Sequence, residues 1–464
     1  MPGYANWETL FRDEYTQLFE EGYPVGAGPA PDTPNPYLPV RSGAGAATMA
    51  PSPTPADWEE AYWNLWRVRE KGLRPDYPFR EPDDYPSIIA DASAPPPLQP
   101  LGDAEYAGRI KGAWSGRCAG VVLGKPLEVG MNHIEIRRYL ESLDAYPLDD
   151  WVPIRSEKLD KALRVECLPS SRGHVAFVQQ DDDIHYTILA LLLAERKGTR
   201  FTKRDICMNW LGNLPYHWVW SCTKQAYYHL VNMTEMRSEE EQIDEFPTKL
   251  NPMREGINGA IRADMWGYLA PASPRKAAVL AHREASVNCV KNGIYGTMFV
   301  AACISAALSK SPSVDTILAG GYSVIPQQSR LAHALHSVER WYGETGDWIA
   351  VCDRIYANWG HLPFAGGINN LCFIVLALLH GGLDYTRAIT TAVMCGTDTD
   401  CTGGTVGSIV GAARGIEGVA KRWVEPFHDT VKSAVGSFGN GTISELVERT
   451  IACRRRCREE VEAL

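Results

Sequence analysis

The sequence predicts an all-α protein, a compact multi-helix domain behind a proline-rich, partly helical N-terminal extension. From residue 104 onward, segments rich in Ala, Leu, Ile and Val alternate with loops. Most of these segments have helical periodicity, and strand-like alternation is hardly visible. Of the 31 prolines, 18 lie within the first 100 residues, and all 12 cysteines lie after them. We therefore predict an extension over residues 1–100 and a catalytic domain over residues 101–464.

The extension is predicted to contain two short helices. Apolar residues recur near helical spacing within residues 1–23, and residues 57–71 form an amphipathic helix with Trp58, Tyr62 and Trp66 on one face. The Pro/Gly/Ala-rich residues 24–56 between them are expected to form an extended linker. The aromatic face is expected to dock onto the same chain, with a second subunit as the alternative, so the oligomeric state stays open.

The body is predicted to be a bundle of ten or more helices. They are expected at about residues 105–123, 183–197, 203–212, 257–268, 274–288, 294–309, 313–319, 328–342, 345–358, 368–380, 384–394 and 402–417.

Composition and charge exclude several classes of protein. The hydrophobic content of 45% is enough for a sizeable core, which argues against a disordered chain. A net charge of −10 makes nucleic acid an unfavourable partner, because an acidic surface repels phosphate backbones. No apolar run approaches the ~20 residues of a membrane helix, and the N-terminus does not read as a signal peptide. The cysteines include no C-x-x-C pair, which predicts reduced, buried thiols in a cytoplasmic protein.

Glycines recur every four residues along the first body helix, at Gly112, Gly116, Gly120 and Gly124. Each glycine costs a helix ~1 kcal/mol relative to alanine, so four of them indicate backbones that approach closely. Tight packing alone would explain the stripe. Glu128 follows Pro126 and is expected in a loop at the mouth of this helix.

Two further acidic motifs precede apolar or glycine-rich helices. Asp181, Asp182 and Asp183 are consecutive and stand directly before an apolar helix. Asp398 and Asp400 would point apart on a helix but converge in an extended turn. Each motif alone is compatible with a solvated helix cap. Together with Glu128, however, they are the oxygen ligand set of Mg²⁺ or Mn²⁺ rather than zinc.

In this order, the motifs resemble the ADP-ribosylglycohydrolase family, which includes the dinitrogenase-reductase-activating enzymes. They read G-x₃-G-x₃-G-x₃-G-x-P-x-E, then D-D before an apolar helix, then D-T-D before a small-residue helix. The resemblance runs from about Glu105 to near Cys453 and implies an all-α, dimetal-dependent fold. The first hundred residues match nothing in this pattern.

The resemblance implies roles for individual residues. It implies that two Mg²⁺ (or Mn²⁺) ions are bound by Asp181, Asp182, Asp183, Asp398, Asp400 and Glu128. Candidates for orienting or deprotonating the attacking water are Asp182, Asp183 and Glu128. Substrate binding is implied for Gly256, Asn258 and Gly259 and, with packing as an equal alternative, for Asn292, Gly293, Tyr295 and Gly296.

The chain departs from the family pattern at three positions. Asp181 replaces a hydroxyl ligand, Ile184 stands where a threonine is usual, and Cys401 stands at a position that is commonly a hydroxyl ligand. Outside the motifs, Trp218 and Trp220 are candidates to stack a base, although core packing is the expected role.

The implied reaction is hydrolysis of an N- or O-glycosidic bond at the anomeric carbon of an ADP-ribosyl or related ribosyl group. The substrate would be an ADP-ribosylated protein or a small ribosylated or nucleotide metabolite. One alternative is an N-glycosidase acting on a small nucleoside, nucleotide or NAD-derived metabolite. A further alternative is a catalytically silent protein that binds a metal or ligand.

Overall fold

A computed structural model describes residues 6–26, 52–128, 130–154 and 165–464 of the chain. Helices form nearly all of the regular structure in these ranges, which confirms the predicted all-α class. The described strands, β1 (Thr430–Val431) and β2 (Gly441–Thr442), form a short antiparallel pair. Most of the predicted linker over residues 24–56 lies outside the described residues.

The helices are numbered in chain order. The first hundred residues contain α1 (Trp7–Glu20), α2 (Pro55–Trp66) and α3 (Tyr85–Ala90). The rest of the chain contains α4 (Asp103–Gly124), α5 (His133–Glu141), α6 (Asp182–Lys197), α7 (Lys203–Asn213), α8 (Ser221–Val231), α9 (Glu239–Ile243), α10 (Asp264–Leu269), α11 (Pro274–Ala285), α12 (Lys291–Ala307), α13 (Val314–Tyr322), α14 (Arg330–Thr345), α15 (Trp348–Trp359), α16 (Gly367–Gly381), α17 (Tyr385–Met394), α18 (Thr399–Arg414) and α19 (Ile443–Glu462).

The aromatic face of α2 packs against α1 of the same chain. Phe11, Leu18 and Leu65 are fully buried in the cluster between the two helices. The Tyr62 ring is also buried, and its centroid lies 5.7 Å from that of Trp7. The aromatic face of α2 therefore packs within the same chain, as expected.

Buried charges attach α1 to the body of the protein. The Arg254 guanidinium pairs with Glu14 at 3.0 Å and with Glu21 at 2.5 Å, and all three side chains are essentially inaccessible to solvent. Gln17 donates a hydrogen bond to Glu255 at 2.9 Å beside them. Because a buried ion is costly unless it is paired, these contacts couple the position of α1 to the body.

The glycine stripe of α4 packs directly against the backbone of α18. A Cβ atom added at Gly116 would meet the carbonyl of Gly407, and one added at Gly120 would meet the carbonyl of Gly403. The Tyr385 hydroxyl also donates a hydrogen bond of 2.8 Å to the Gly116 carbonyl. The predicted close approach of backbones is therefore observed, and it brings the end of α4 to the start of α18.

We expect Gly120→Ala to lower the free energy of unfolding by about 2 to 3 kcal/mol, because its Cβ has no space against α18. The measurement is urea unfolding followed by circular dichroism. Gly108→Ala is the control on the same helix, since an added Cβ there meets no atom within 4 Å. It should stabilise the chain by about 0.5–1 kcal/mol. Equal effects of the two substitutions would contradict the packing argument.

Two further observations concern the cysteines and the apolar character of the helices. All twelve cysteines are free and buried, as expected for reduced thiols. Among the described residues, no helix combines the length and apolar character needed to cross a membrane.

Candidate active site

A cavity of about 630 Å³ opens where α4 ends and where α6 and α18 begin. Six carboxyl side chains line it: Glu128, Glu166, Asp181, Asp182, Asp398 and Asp400. Among the described lining residues, Lys125 carries the one ammonium group. The size is typical of small-molecule sites, and the lining is strongly acidic.

The start of α18 places two of these carboxylates. Thr397 has a left-handed backbone with φ of 63°, and its hydroxyl donates a 2.6 Å hydrogen bond to the Asn370 side chain. Asp398 is therefore outside the helix, whereas Asp400 is in its first turn. Both carboxylates lie in one group of neighbouring ligand atoms, although the expected extended turn ends at Asp398 and Asp400 is already helical. The Oδ1 atom of Asp400 is buried and has no hydrogen-bond partner among the described residues.

The start of α6 places the consecutive aspartates. The Asp181 side chain caps the helix by accepting a 3.0 Å hydrogen bond from the Asp183 backbone amide. Asp183 is not among the described residues that line the cavity; it pairs with Arg117 of α4 at 2.8 Å, with both side chains fully buried. Asp182 lines the cavity itself. The three aspartates thus have different roles in spite of their adjacency.

A short 3-10 turn, Lys125–Leu127, follows α4 and presents two charged groups to the site. The Lys125 ammonium is largely buried and donates a hydrogen bond to Asp181. Glu128 follows the turn, and its carboxylate lies close to those of Asp398 and Asp400. The predicted position of Glu128 at the mouth of α4 agrees with this arrangement.

Burial and mutual repulsion disfavour the charged forms of these acids. Burial, followed by the charges of Asp400 and Asp181, raises the pKa of Glu128 well above its usual range. The pKa of Asp182 and that of Asp398 are raised well above theirs for the same two reasons. Burial alone would lower the pKa of Lys125, but the nearby carboxylates outweigh it and raise it. A divalent cation would relieve this repulsion.

The donor set fits a hard divalent cation. Three groups of side chains have ligand atoms within 4.8 Å of one another: Glu128–Asp398–Asp400, Asp183–Asp400–Cys401 and Asp181–Asp182–Asp183. Carboxylate oxygens are the ligands that Mg²⁺ and Mn²⁺ prefer. Asp400 belongs to two of the groups, and its buried Oδ1 atom has no hydrogen-bond partner among the described residues, so this side chain has an oxygen available for a cation.

Cys401 does not present a free ligand atom to the cavity. Its thiol lies 3.2 Å from Asp183 Oδ2, to which it donates a hydrogen bond. Burial, with the charge of Asp183 next, raises the pKa of this thiol well above its usual range, so the sulfur keeps its proton. Ile184, another of the three departures from the family pattern, is fully buried in the core.

Aromatic side chains also line the cavity. Trp218 and Trp220 both line the cavity. Trp218 is partly buried and packs against the core, as expected. Trp220 is 49% exposed, so core packing is the wrong interpretation for Trp220. Asn258, which the resemblance implies in substrate binding, also lines the cavity, and its Oδ1 atom has no partner among the described residues. These groups could stack against a planar ring and bind a hydroxyl.

The other residues implied in substrate binding do not line the cavity. Added Cβ atoms at Gly259 and Gly293 would collide with neighbouring backbone or side-chain atoms, which indicates close packing. Gly296 packs against Leu371 and Gly256 lies beside Ala365. None of these four glycines is among the described residues that line the cavity.

Two more members of this set face the N-terminal extension. The Asn292 amide donates hydrogen bonds to Glu81 at 2.8 Å and to Glu255 at 2.9 Å. The Tyr295 hydroxyl donates to the Pro82 carbonyl. Both side chains therefore hold the extension against the body rather than lining the cavity.

Sequence reasoning missed Lys125 and Arg117. Both are basic residues within the glycine-rich segment. The signal that could have identified them is a charged side chain in an otherwise small and apolar stretch: Lys125 stands between Gly124 and Pro126, and Arg117 directly follows Gly116. Arg117 lies 3.6 Å from Asp264 as well as pairing with Asp183, so it joins three helices behind the acids.

Much of the chain matches a known protein family. Residues 102–459 match the family model described as ADP-ribosylglycohydrolase. A solved structure named "ADP-ribosylglycohydrolase-related protein complex" is 17% identical with a TM-score of 0.47, over 76% of this chain and 99% of that one. No curated protein matches the sequence significantly.

Proposed function

Because the chain belongs to the ADP-ribosylglycohydrolase family, we propose that it hydrolyses a glycosidic bond at the anomeric carbon of a ribosyl group. The reaction would depend on Mg²⁺ or Mn²⁺. The observation that carries this proposal is the convergence of Glu128, Asp398 and Asp400 in a ligand-sized cavity, where the buried Oδ1 atom of Asp400 has no hydrogen-bond partner among the described residues.

The acidic side chains would hold the cation, which when bound lowers the pKa of water and orients the ribose hydroxyls. Asp182 lines the cavity beside this group and is the candidate to take the proton of the attacking water, with Glu128 as the alternative. The carboxylates that remain ionised would stabilise positive charge at the anomeric carbon. Asp183 would act indirectly, because Arg117 engages its Oδ1 atom.

Trp218 and Trp220, which line the same cavity, would stack against the leaving group or base, and the Asn258 carbonyl would accept a hydrogen bond from a ribose hydroxyl. The presence of both acidic and aromatic side chains in one cavity supports a substrate that combines a ribose with a planar group.

A second candidate is an N-glycosidase that acts on a small nucleoside, nucleotide or NAD-derived metabolite. Without a bound cation, the charge of the cavity favours the unphosphorylated members of this class, the nucleosides, over a diphosphate substrate. Six carboxyl groups and one ammonium group line the described walls, and this balance repels a pyrophosphate while accepting a neutral or cationic group. An ADP-ribosylated protein would need its phosphates bound by backbone amides instead.

Product analysis tests the proposal. The chain, with Mg²⁺ or Mn²⁺ and separately with EDTA, is incubated with ADP-ribosyl-arginine, ADP-ribosyl-serine, NAD and simple nucleosides. We expect release of ADP-ribose or ribose from at least one substrate, and none with EDTA. Asp398→Asn, which keeps the shape of the side chain, should release none while retaining the wild-type circular dichroism spectrum.

The identity of the cleaved substrate separates the candidates. Release from nucleosides alone would favour the second one. No release from any substrate by a metal-loaded chain would contradict both and leave a catalytically silent, metal-binding protein.

A further inference from the structure

The ammonium group of Lys125 lies among the acids where a metal ion would be expected. Its side chain is 14% exposed and donates a hydrogen bond to Asp181 Oδ2. It also interacts electrostatically with Asp400 and Glu128. A lysine is rarely buried unless its charge is needed, so this position indicates a fixed positive charge within the site.

Two of the three possible ligand groups are already occupied by protein cations and donors. Asp181, in one group, accepts from Lys125 and from the Asp183 backbone amide. Asp183, in both of these groups, is engaged at each oxygen: Arg117 donates to Oδ1 at 2.8 Å and the Cys401 thiol to Oδ2 at 3.2 Å. These contacts compete directly with a metal at either group.

The third group, Glu128–Asp398–Asp400, includes Asp400, whose buried Oδ1 atom has no hydrogen-bond partner among the described residues. We propose, on the basis of the function proposed above, that the site binds one divalent cation at this group, and that the Lys125 ammonium takes the place of a second. Lys125 is then a positioning residue that holds Asp181 and sets the metal stoichiometry.

Mn²⁺ binding to the metal-free full-length chain tests this inference. Equilibrium dialysis should give one Mn²⁺ per wild-type chain. Electron paramagnetic resonance should show the six-line spectrum of an isolated ion without exchange coupling. In Lys125→Gln the ammonium is lost, and we expect a second Mn²⁺ to bind over the same concentration range, with an exchange-coupled spectrum.

Two matched variants complete the experiment. Lys125→Arg keeps the charge and should bind one Mn²⁺. Lys224→Gln removes an ammonium that lies over the Trp220 ring, 5.4 Å from its centroid, and should also bind one. If Lys125→Gln does not fold, the wild-type stoichiometry and Lys125→Arg still decide the matter.

Several results would overturn the inference. Two exchange-coupled ions in the wild-type chain, or a single ion in folded Lys125→Gln, would do so. If the wild-type chain binds two ions and releases product, the proposed function stands and only the role of Lys125 fails. If it binds no Mn²⁺ or Mg²⁺ at all, the metal-dependent function fails as well.

Discussion

Asp400→Asn should slow hydrolysis on the order of a thousandfold, which corresponds to the loss of about 4 kcal/mol of transition-state stabilisation. Asp400 is 2% exposed, and its carboxylate belongs to two of the three possible ligand groups. An amide keeps the shape of the side chain but removes the charge that holds a divalent cation. The measurement is the steady-state rate of product release in the presence of Mn²⁺.

The same variant should lose activity without losing stability in the metal-free state. Asp400 raises the pKa of Glu128 and of Asp398, so the metal-free protein carries repulsion between these groups. Removing one charge relieves this repulsion, and metal-free Asp400→Asn should be at least as stable as the metal-free wild-type chain. The increase in Tm that Mn²⁺ gives the wild-type chain should be absent.

Asp353→Asn is the control, because this aspartate of α15 is exposed and pairs with His133 away from the cavity. It should keep the wild-type rate and the wild-type response of Tm to Mn²⁺. A wild-type rate in Asp400→Asn would show that the metal assignment is wrong.

Arg254→Met should lower the free energy of unfolding by about 3–5 kcal/mol, because it leaves the buried carboxylate of Glu14 without its ion-pair partner and that of Glu21 with Lys291 alone. Glu14 is fully buried and Glu21 nearly so, and Arg254 pairs with both. Methionine preserves much of the apolar volume of the arginine side chain, so the loss of unfolding free energy measures the effect of removing the guanidinium charge. Urea unfolding measures it, and limited proteolysis should show α1 becoming susceptible to cleavage.

Arg12→Met provides the control on α1 itself. Arg12 and Glu8 form an exposed pair at 2.7 Å, and such pairs contribute less than about 1 kcal/mol. A double variant that adds Glu14→Gln to Arg254→Met should recover part of the lost stability, since one buried charge disappears. A loss below about 1 kcal/mol in Arg254→Met would contradict the buried-pair argument.

Apolar helices could be predicted from the sequence because their periodicity is strong. The predicted helix at 384–394 corresponds to α17 (Tyr385–Met394), and that at 203–212 to α7 (Lys203–Asn213). The predicted helix over 257–268 is instead a 3-10 turn, Ala260–Arg262, followed by the short α10. The backbone there bends because Gly256 and Ile257 contact the segment before α16.

Most of the helices that were not predicted are polar or charged. The exception is α3 (Tyr85–Ala90), a third helix in the extension, where two were expected. In α19, Arg and Glu side chains surround a narrow apolar stripe, and α5 and α8 contain several polar residues. Their burial depends on the surfaces they cover, and local composition does not report those surfaces.

The acids of the site could be predicted because each follows a local rule, an N-cap or a turn before a helix. The contacts of Asn292 and Tyr295 could not, because they depend on the extension folding back over α12. The role of Lys125 could not be predicted from the sequence either. A lysine in a turn is ordinarily solvated, and only the approach of α6 places Asp181 next to it.

The contact between α4 and α18 limits how this site can diverge. The backbones of the two helices meet with no side chains between them, so the distance from Glu128 to Asp398 cannot be adjusted by repacking. An insertion or deletion of one residue in either helix would rotate its end by about 100° and separate the acids. New specificity is therefore expected to arise by substitution in the wall that contains Trp218, Trp220 and Asn258, while the two helices retain their lengths.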